Sequence, residues 1–189
     1  MSSQFTAVLD ACVLHSIPLT NLLLHLAEAE LYRARWTKAI HEEWIKSVLD
    51  RRKDLTRERL ELRRAAMDES IPDCLVTGYE RLAPAVDLPD EDDRHVVAAA
   101  IRARAAVIVT FNLKDFPAAV LDTYDIVAQH PDTFLHDLID LYPSVIRTRV
   151  EMLVAEYKKP PIPRDEFIAT LEQLGLPETA AGLRGLFPE

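Results

Sequence analysis

Three short apolar segments rich in β-branched residues are spaced along the chain: "FTAVLDACVL" from Phe5, "AVIVT" at 106–110 and "YDIVA" at 124–128. Stretches with helical spacing lie between them. Strands buried on both faces and joined through helices pair in parallel, because parallel neighbours need a long crossover. The alternation predicts an α/β fold, a parallel central sheet flanked by helices. Its first strand ends near Asp10.

The intervening segments read as helices. Leucines recur at helical spacing over 18–31, and Thr37 is a plausible N-cap for "WTKAIHEEWIKSVLD", whose Ile40, Trp44 and Val48 form one stripe. The stretch "RRKDLTRERLELRR" (51–64) carries seven basic and three acidic side chains and reads as a solvated helix with i,i+4 pairs, running to about Met67. A phosphate-tracking face is the alternative meaning. A short helix is expected around 72–79, a short strand at "PAVDLP" (84–89), and a helix from Asp93 to about Arg104. After Pro131 the strands stop. Helices are expected in "PDTFLHDLIDL" and "PSVIRTRVEMLVAEY", then a proline-rich linker "KKPPIP", then two helices broken at Gly175-Leu176-Pro177. The division is an α/β domain over 1–130 and an all-helical C-terminal extension over 131–189.

A chain of 189 residues with 49% hydrophobic and 28% charged side chains is an ordinary folded protein rather than a disordered one. No apolar run approaches a membrane span, and the first ten residues lack the basic start and apolar stretch of a secretory signal. Cys12 and Cys74 form no CxxC pair and read as reduced thiols, which points to a cytoplasmic location. The net charge of −9 argues on its face against nucleic acid. Carboxylates that hold divalent cations, however, do not present their full charge.

The acids are the anomaly. "LPDEDDRHVVAAAI" (88–101) places Asp90, Glu91, Asp92 and Asp93 against an apolar helix. Asp90 and Glu91 suit a helix N-terminus. Asp93 does not, because Val96, Val97, Ala100 and Ile101 follow at i+3, i+4, i+7 and i+8, on the same buried face. Asp10 ends a buried strand, Asn112 and Asp115 directly follow "AVIVT", and sites in parallel sheets form at these carboxyl ends. A helical wheel does not choose between Glu42 and Glu43 in the preceding amphipathic helix. Two carboxylates about 4 Å apart repel by about 4 kcal/mol at an effective dielectric of 20, so several together need protons or a cation. An all-oxygen set suits Mg²⁺ or Mn²⁺. Zinc is disfavoured, since "HEEWI" lacks the second histidine of HExxH. His15, His25, His95, His130 and His136 are expected at the surface or in packing.

The strings "VLDACVL", "W-T-x-x-I-x-x-E" and "DEDDRHVVAAAIRARAAVIVTFNLKDFP" together resemble the PIN domain, and within it the VapC-type toxins, over roughly residues 6–141. The helical tail is similar to the C-terminal extension of one branch of VapC-like proteins. The resemblance implies a PIN-like three-layer fold and a Mg²⁺- or Mn²⁺-dependent endoribonuclease, the toxin of a type II toxin–antitoxin pair. Its implied metal ligands are Asp10, Glu43 and Asp93, helped by Asp92. Asn112 occupies the fourth, usually acidic position, with Asp115 three residues on, and these two complete the implied catalytic set. Asn112 departs from the all-acid pattern and leaves open whether one ion or two bind. Thr110 is expected to orient an acid by a hydrogen bond. Arg51, Arg52, Lys53 and Arg57, with Lys158 and Lys159, are candidates for RNA backbone contact. The implied partners are an RNA substrate, a small antitoxin and a second copy of the chain, with no membrane. Two rivals stand beside this reading: a phosphoacceptor receiver domain, and a catalytically quiet PIN-like protein that binds RNA or a partner.

Overall fold

The computed structural model describes residues 5–188, so residues 1–4 of the opening decapeptide and Glu189 at the end of the extension lie outside the described residues. Four strands form one parallel sheet: β1 (Thr6–Leu9), β2 (Arg33–Arg35), β3 (Val107–Val109) and β4 (Val127–Gln129), in the order β2-β1-β3-β4. Val8 lies opposite both Arg35 and Ile108, so β1 is central and its Ala7, Val8 and Leu9 are fully buried. The first crossover, through α1 (Ile17–Glu28), leads to one side of β1. The second, through α2 (Lys38–Arg51), α3 (Arg57–Ser70) and α4 (Arg94–Ala103), brings β3 to the other side. The connections therefore reverse direction between β1 and β3, and a crevice opens at the carboxyl ends there.

The α/β expectation holds, with local corrections. β2 is an additional strand that its sequence hides: "RAR" buries only Ala34 and carries no apolar run, because it sits at the sheet edge. Residues 72–79 form no helix. Pro72 and Asp73 make a turn, and residues 74–76 run beside Trp36, whose N–H donates to Cys74 O (3.0 Å) and whose carbonyl accepts from Val76 N (2.8 Å). Backbone groups beyond the end of β2 need partners, and that demand overrides local propensity. "PAVDLP" is not a strand but a 3-10 turn at Ala83–Ala85 followed by unpaired chain, since its prolines cannot donate to a ladder. β4 begins later than expected, after a 3-10 turn at Asp122–Tyr124 and a left-handed Asp125 (φ 57°). The basic stretch is not one continuous helix: α2 stops at Arg51 and α3 restarts under the Thr56 hydroxyl, which accepts from Arg59 N. The expected i,i+4 pairs, Arg57–Glu61 (3.4 Å) and Arg64–Asp68 (3.2 Å), are present.

Asp68 ties α3 to α2. Its Oδ1 accepts from Trp36 Nε1 (2.8 Å) and faces His41 Nε2 (2.8 Å), while its Oδ2 accepts from Arg64. Trp44 Nε1 is a donor only and reaches His41 Nδ1 at 2.8 Å, so the His41 proton sits on Nε2, toward Asp68. Burial pushes the His41 pKa down more strongly than Asp68 pushes it up, which keeps the ring neutral in this chain of bonds. The node anchors α2.

The tail folds as read, into α6 (Pro131–Leu141), α7 (Pro143–Glu156), α8 (Arg164–Gln173) and α9 (Pro177–Gly185), after the short α5 (Ala118–Leu121). Its Ile146, Val150, Phe167 and Leu171 share one continuous core with Leu22, Leu23 and Leu26 of α1. Buried Asp132 on α6 caps α9, accepting from Thr179 N (2.7 Å) and Glu178 N (3.0 Å). Among the described residues no helix is long and apolar enough to cross a membrane.

Candidate functional site

Asp10 leaves β1 at the crevice between β1 and β3, and its own N–H is still held by Val109 O (3.1 Å). The side chain is 4% exposed and accepts three hydrogen bonds, which leaves a lone pair of Oδ1 uncommitted. Its Oδ1 accepts from Ala11 N (2.7 Å), and its Oδ2 accepts from Thr110 Oγ1 (2.7 Å) and Cys12 Sγ (3.0 Å). Phe111 N donates to Cys12 Sγ at 3.2 Å and Asn112 N to Thr110 Oγ1 at 3.0 Å. These bonds lock the end of β1 to the loop after β3. Burial, then the Asp10 charge, pushes the Cys12 thiol up to about 12, so it stays protonated and donates. Both cysteines are free.

The run of acids at the head of α4 divides by role. Asp90 accepts from Asp92 N (2.9 Å) and caps the 3-10 turn Glu91–Asp93, and Glu91 pairs with Arg94 (3.1 Å). Asp93 stands at the N-cap position of α4 but makes no capping hydrogen bond. It is half-buried, and burial pushes its pKa up to about 6, aided by the charges of Asp10, Asp90, Asp115 and Glu43. Those four therefore surround Asp93 electrostatically. Asp92 and Asn112 are exposed, whereas Asp115 is half-buried.

The geometry also separates Glu42 from Glu43. Glu42 reaches outward to Arg57 (3.0 Å). Glu43 Oε1 lies 2.6 Å from His95 Nε2 on α4, an ion-pair contact too bent to count as a hydrogen bond. Burial pushes the His95 pKa down, but Glu43, Asp10 and Asp93 together prevail and push it up. His95, expected at the surface or in packing, instead joins the acids. Periodicity gives no hint of this, because the contact spans α2 and α4. Of the other histidines, His25 is buried beside Glu156 (3.3 Å), His130 caps α6 and His136 lies 3.6 Å from Asp140.

The donors suit a hard divalent cation in kind: oxygen atoms from carboxylates, one of which, Asp93, is pushed up to about 6 by burial and then by its acidic neighbours. Among the described residues, no three His, Cys, Asp or Glu side chains already stand close enough to bind one ion. Asp10 is fixed, so closure around an ion would fall to Asp93, Asp115 and Glu43; the Glu43 side chain is 45% exposed. The sign for stability follows. A carboxyl raised in the folded chain adds stability in acid that is lost as pH rises from about 4 through about 6. Of the candidate RNA contacts, Arg52 is bonded to Asp54 (2.7 Å), Arg57 to Glu42 and Glu61, and Lys53 to Leu49 O (3.3 Å). Lys158 and Lys159 are exposed in the linker.

Residues 6–114 match the family model of the PIN domain, and residues 131–185 match that of the VapC50 C-terminal domain. A protein of Mycobacterium tuberculosis strain H37Rv, named as a candidate ribonuclease VapC50, is 42% identical over 123 residues, which cover 63% of this chain and 72% of that protein. No solved structure matches.

Proposed function

The chain belongs to the PIN-domain family, in its VapC branch, and on that premise we propose that it is a divalent-metal-dependent endoribonuclease, the toxin of a type II toxin–antitoxin pair. The observation that carries the proposal is the position of Asp93. Four other carboxylates press on it at the crevice where the sheet connections reverse. Crowding of that kind disfavours the folded chain at neutral pH unless a cation offsets it.

Asp10, Glu43 and Asp93 would hold the ion, with Asp115 and Asn112 on the opposite lip and Asp92 at the solvent side. When bound, it would supply water activation and charge stabilisation for phosphodiester hydrolysis. The work of the chain itself is positioning. Thr110 and Cys12 keep both lone-pair faces of Asp10 Oδ2 committed, so the carboxylate cannot rotate away. The His95 ring holds Glu43 toward α4. The four bonds of Asp68 and His41 fix the roll of α2 and with it the height of Glu43.

The test is cleavage of cellular RNA by the purified chain. Cutting in Mg²⁺ or Mn²⁺ that stops in EDTA, leaving 5′-phosphate and 3′-hydroxyl ends, is the expected result. Tight RNA binding without cutting in either metal would instead support the catalytically quiet reading. We place the boundary between nuclease domain and extension near residue 130, and we expect a second copy of the chain and a small antitoxin as its protein partners.

A further inference from the structure

A groove of about 780 Å³ opens between the head of α1, the α2–α3 corner and the end of α8. Its floor is aliphatic, with Ile17, Leu55 and Leu174, and Arg51, Arg59 and Arg63 stand over it. Among the described residues no Asp or Glu lines it, although the chain as a whole carries a net charge of −9. Arg52, also on the rim, is neutralised by Asp54. Arg63 is committed to the protein: its Nη2 donates to Leu14 O (2.8 Å) and Thr20 Oγ1 (2.9 Å), its Nη1 to His15 O (3.4 Å), and its guanidinium lies 4.7 Å from the centre of the Trp44 ring. Burial pushes the Arg63 pKa down only to about 10, so it remains charged. Burial first, and then the charges of Arg51 and Arg63, push His15 down to about 4, so it stays neutral at pH 7. Arg51 donates to Ser47 Oγ (2.9 Å), and the Arg59 side chain is exposed.

Two elements connect this groove to the acids. The 3-10 turn Ala11–Leu14 runs directly from Asp10 to His15, which is about 10 Å at roughly 2 Å per residue. Along α2, Glu43 and Arg51 are eight residues and so about 12 Å apart at about 1.5 Å per residue. A strand stacked at about 3.4 Å per nucleotide covers such a distance in about three nucleotides.

We infer that the groove holds the RNA strand flanking the cleaved bond, with phosphates on Arg51 and Arg59 beside the fixed charge of Arg63 and riboses against the aliphatic floor. The inference rests on the ribonuclease reading and extends it. Thr170 and Leu174 of α8 form one wall, so the C-terminal extension becomes part of the substrate surface. Guanidinium groups without a salt bridge among the described residues, reached from the acids along the Ala11–Leu14 turn and α2, suit a polyanion that continues from one place to the other.

The test uses the full chain with Asp93→Asn, so that bound RNA stays intact, and a fluorescent 12-nucleotide single strand titrated over a range of KCl. Adding Arg51→Ala and Arg59→Ala is expected to weaken binding at least tenfold and to reduce the salt slope by about 1.4, at about 0.7 per lost phosphate contact. Lysine at both positions restores most of the affinity. Arg147→Ala with Arg149→Ala, outside the groove lining, leaves it within twofold. RNA binding unchanged by the alanine pair overturns the inference. So does unchanged RNA binding together with lost binding of an acidic peptide, which would make the groove a protein site. Failure of the wild-type chain to cut RNA in Mg²⁺ strikes the ribonuclease reading instead.

Discussion

Asp93→Asn is expected to lower metal-dependent RNA cleavage by a thousandfold or more, about 4 kcal/mol of transition-state stabilisation. The substitution keeps the shape of the side chain and removes the charge that Asp10, Asp90, Asp115 and Glu43 crowd. Because Asp93 makes no capping bond, α4 loses no hydrogen bond by it. Removing a charge that is part-buried and pressed by other acids should in fact stabilise the metal-free chain at pH 7. A shift from 3.8 to about 6 corresponds to roughly 3 kcal/mol, and solvent screening at a half-buried site reduces that to about 1–2 kcal/mol. Lower activity with an equal or higher melting temperature is the signature of a functional acid. Lower activity with a lower melting temperature would make Asp93 a structural group.

Asp68→Ala is expected to act the opposite way, on stability first. It strands the Trp36 indole N–H and the His41 ring inside the protein and leaves Arg64 without its i,i+4 partner. Each buried donor left unsatisfied costs about 1–3 kcal/mol, and a total near 3 kcal/mol lowers the melting temperature by roughly 6–12 °C for a chain of this size. Asp68→Asn keeps an acceptor at Oδ1 and should recover most of the loss. Calorimetry of the two variants checks this. Equal melting temperatures for alanine and wild type would remove the node from the account of how α2, and therefore Glu43, is held.

What the sequence reveals of this fold tracks how much each element depends on itself. β1 and β3 bury both faces, so their apolar runs announce them, and the tail helices carry their own stripes and prolines. The strand at Arg33–Arg35 depends on β1 for its pairing, and residues 74–76 run beside Trp36 because its backbone groups need partners. Neither dependence leaves a periodic trace. At the site, the inward Asp93 and the strand-end Asp10 stand out because an acid among apolar neighbours breaks a pattern. His95 does not, since its role arises from a contact between α2 and α4. The groove is hidden for the same reason: Arg51, Arg59 and Arg63 converge with Leu174 only after α8 packs against α1.

The proposal at the centre of this account is that carboxylates at the carboxyl edge of β1 and β3 bind a small divalent cation. Titration of Mn²⁺ into the metal-free chain, followed by the resonance of the free ion, reads this without reference to activity. Saturable binding is expected at pH 7.5. It should be at least tenfold weaker at pH 5, where Asp93, titrating at about 6, has taken a proton, and at least tenfold weaker at pH 7.5 in Asp10→Asn with Asp93→Asn. Equal binding by that double variant, or no binding by a wild-type chain that still cuts RNA, would contradict it.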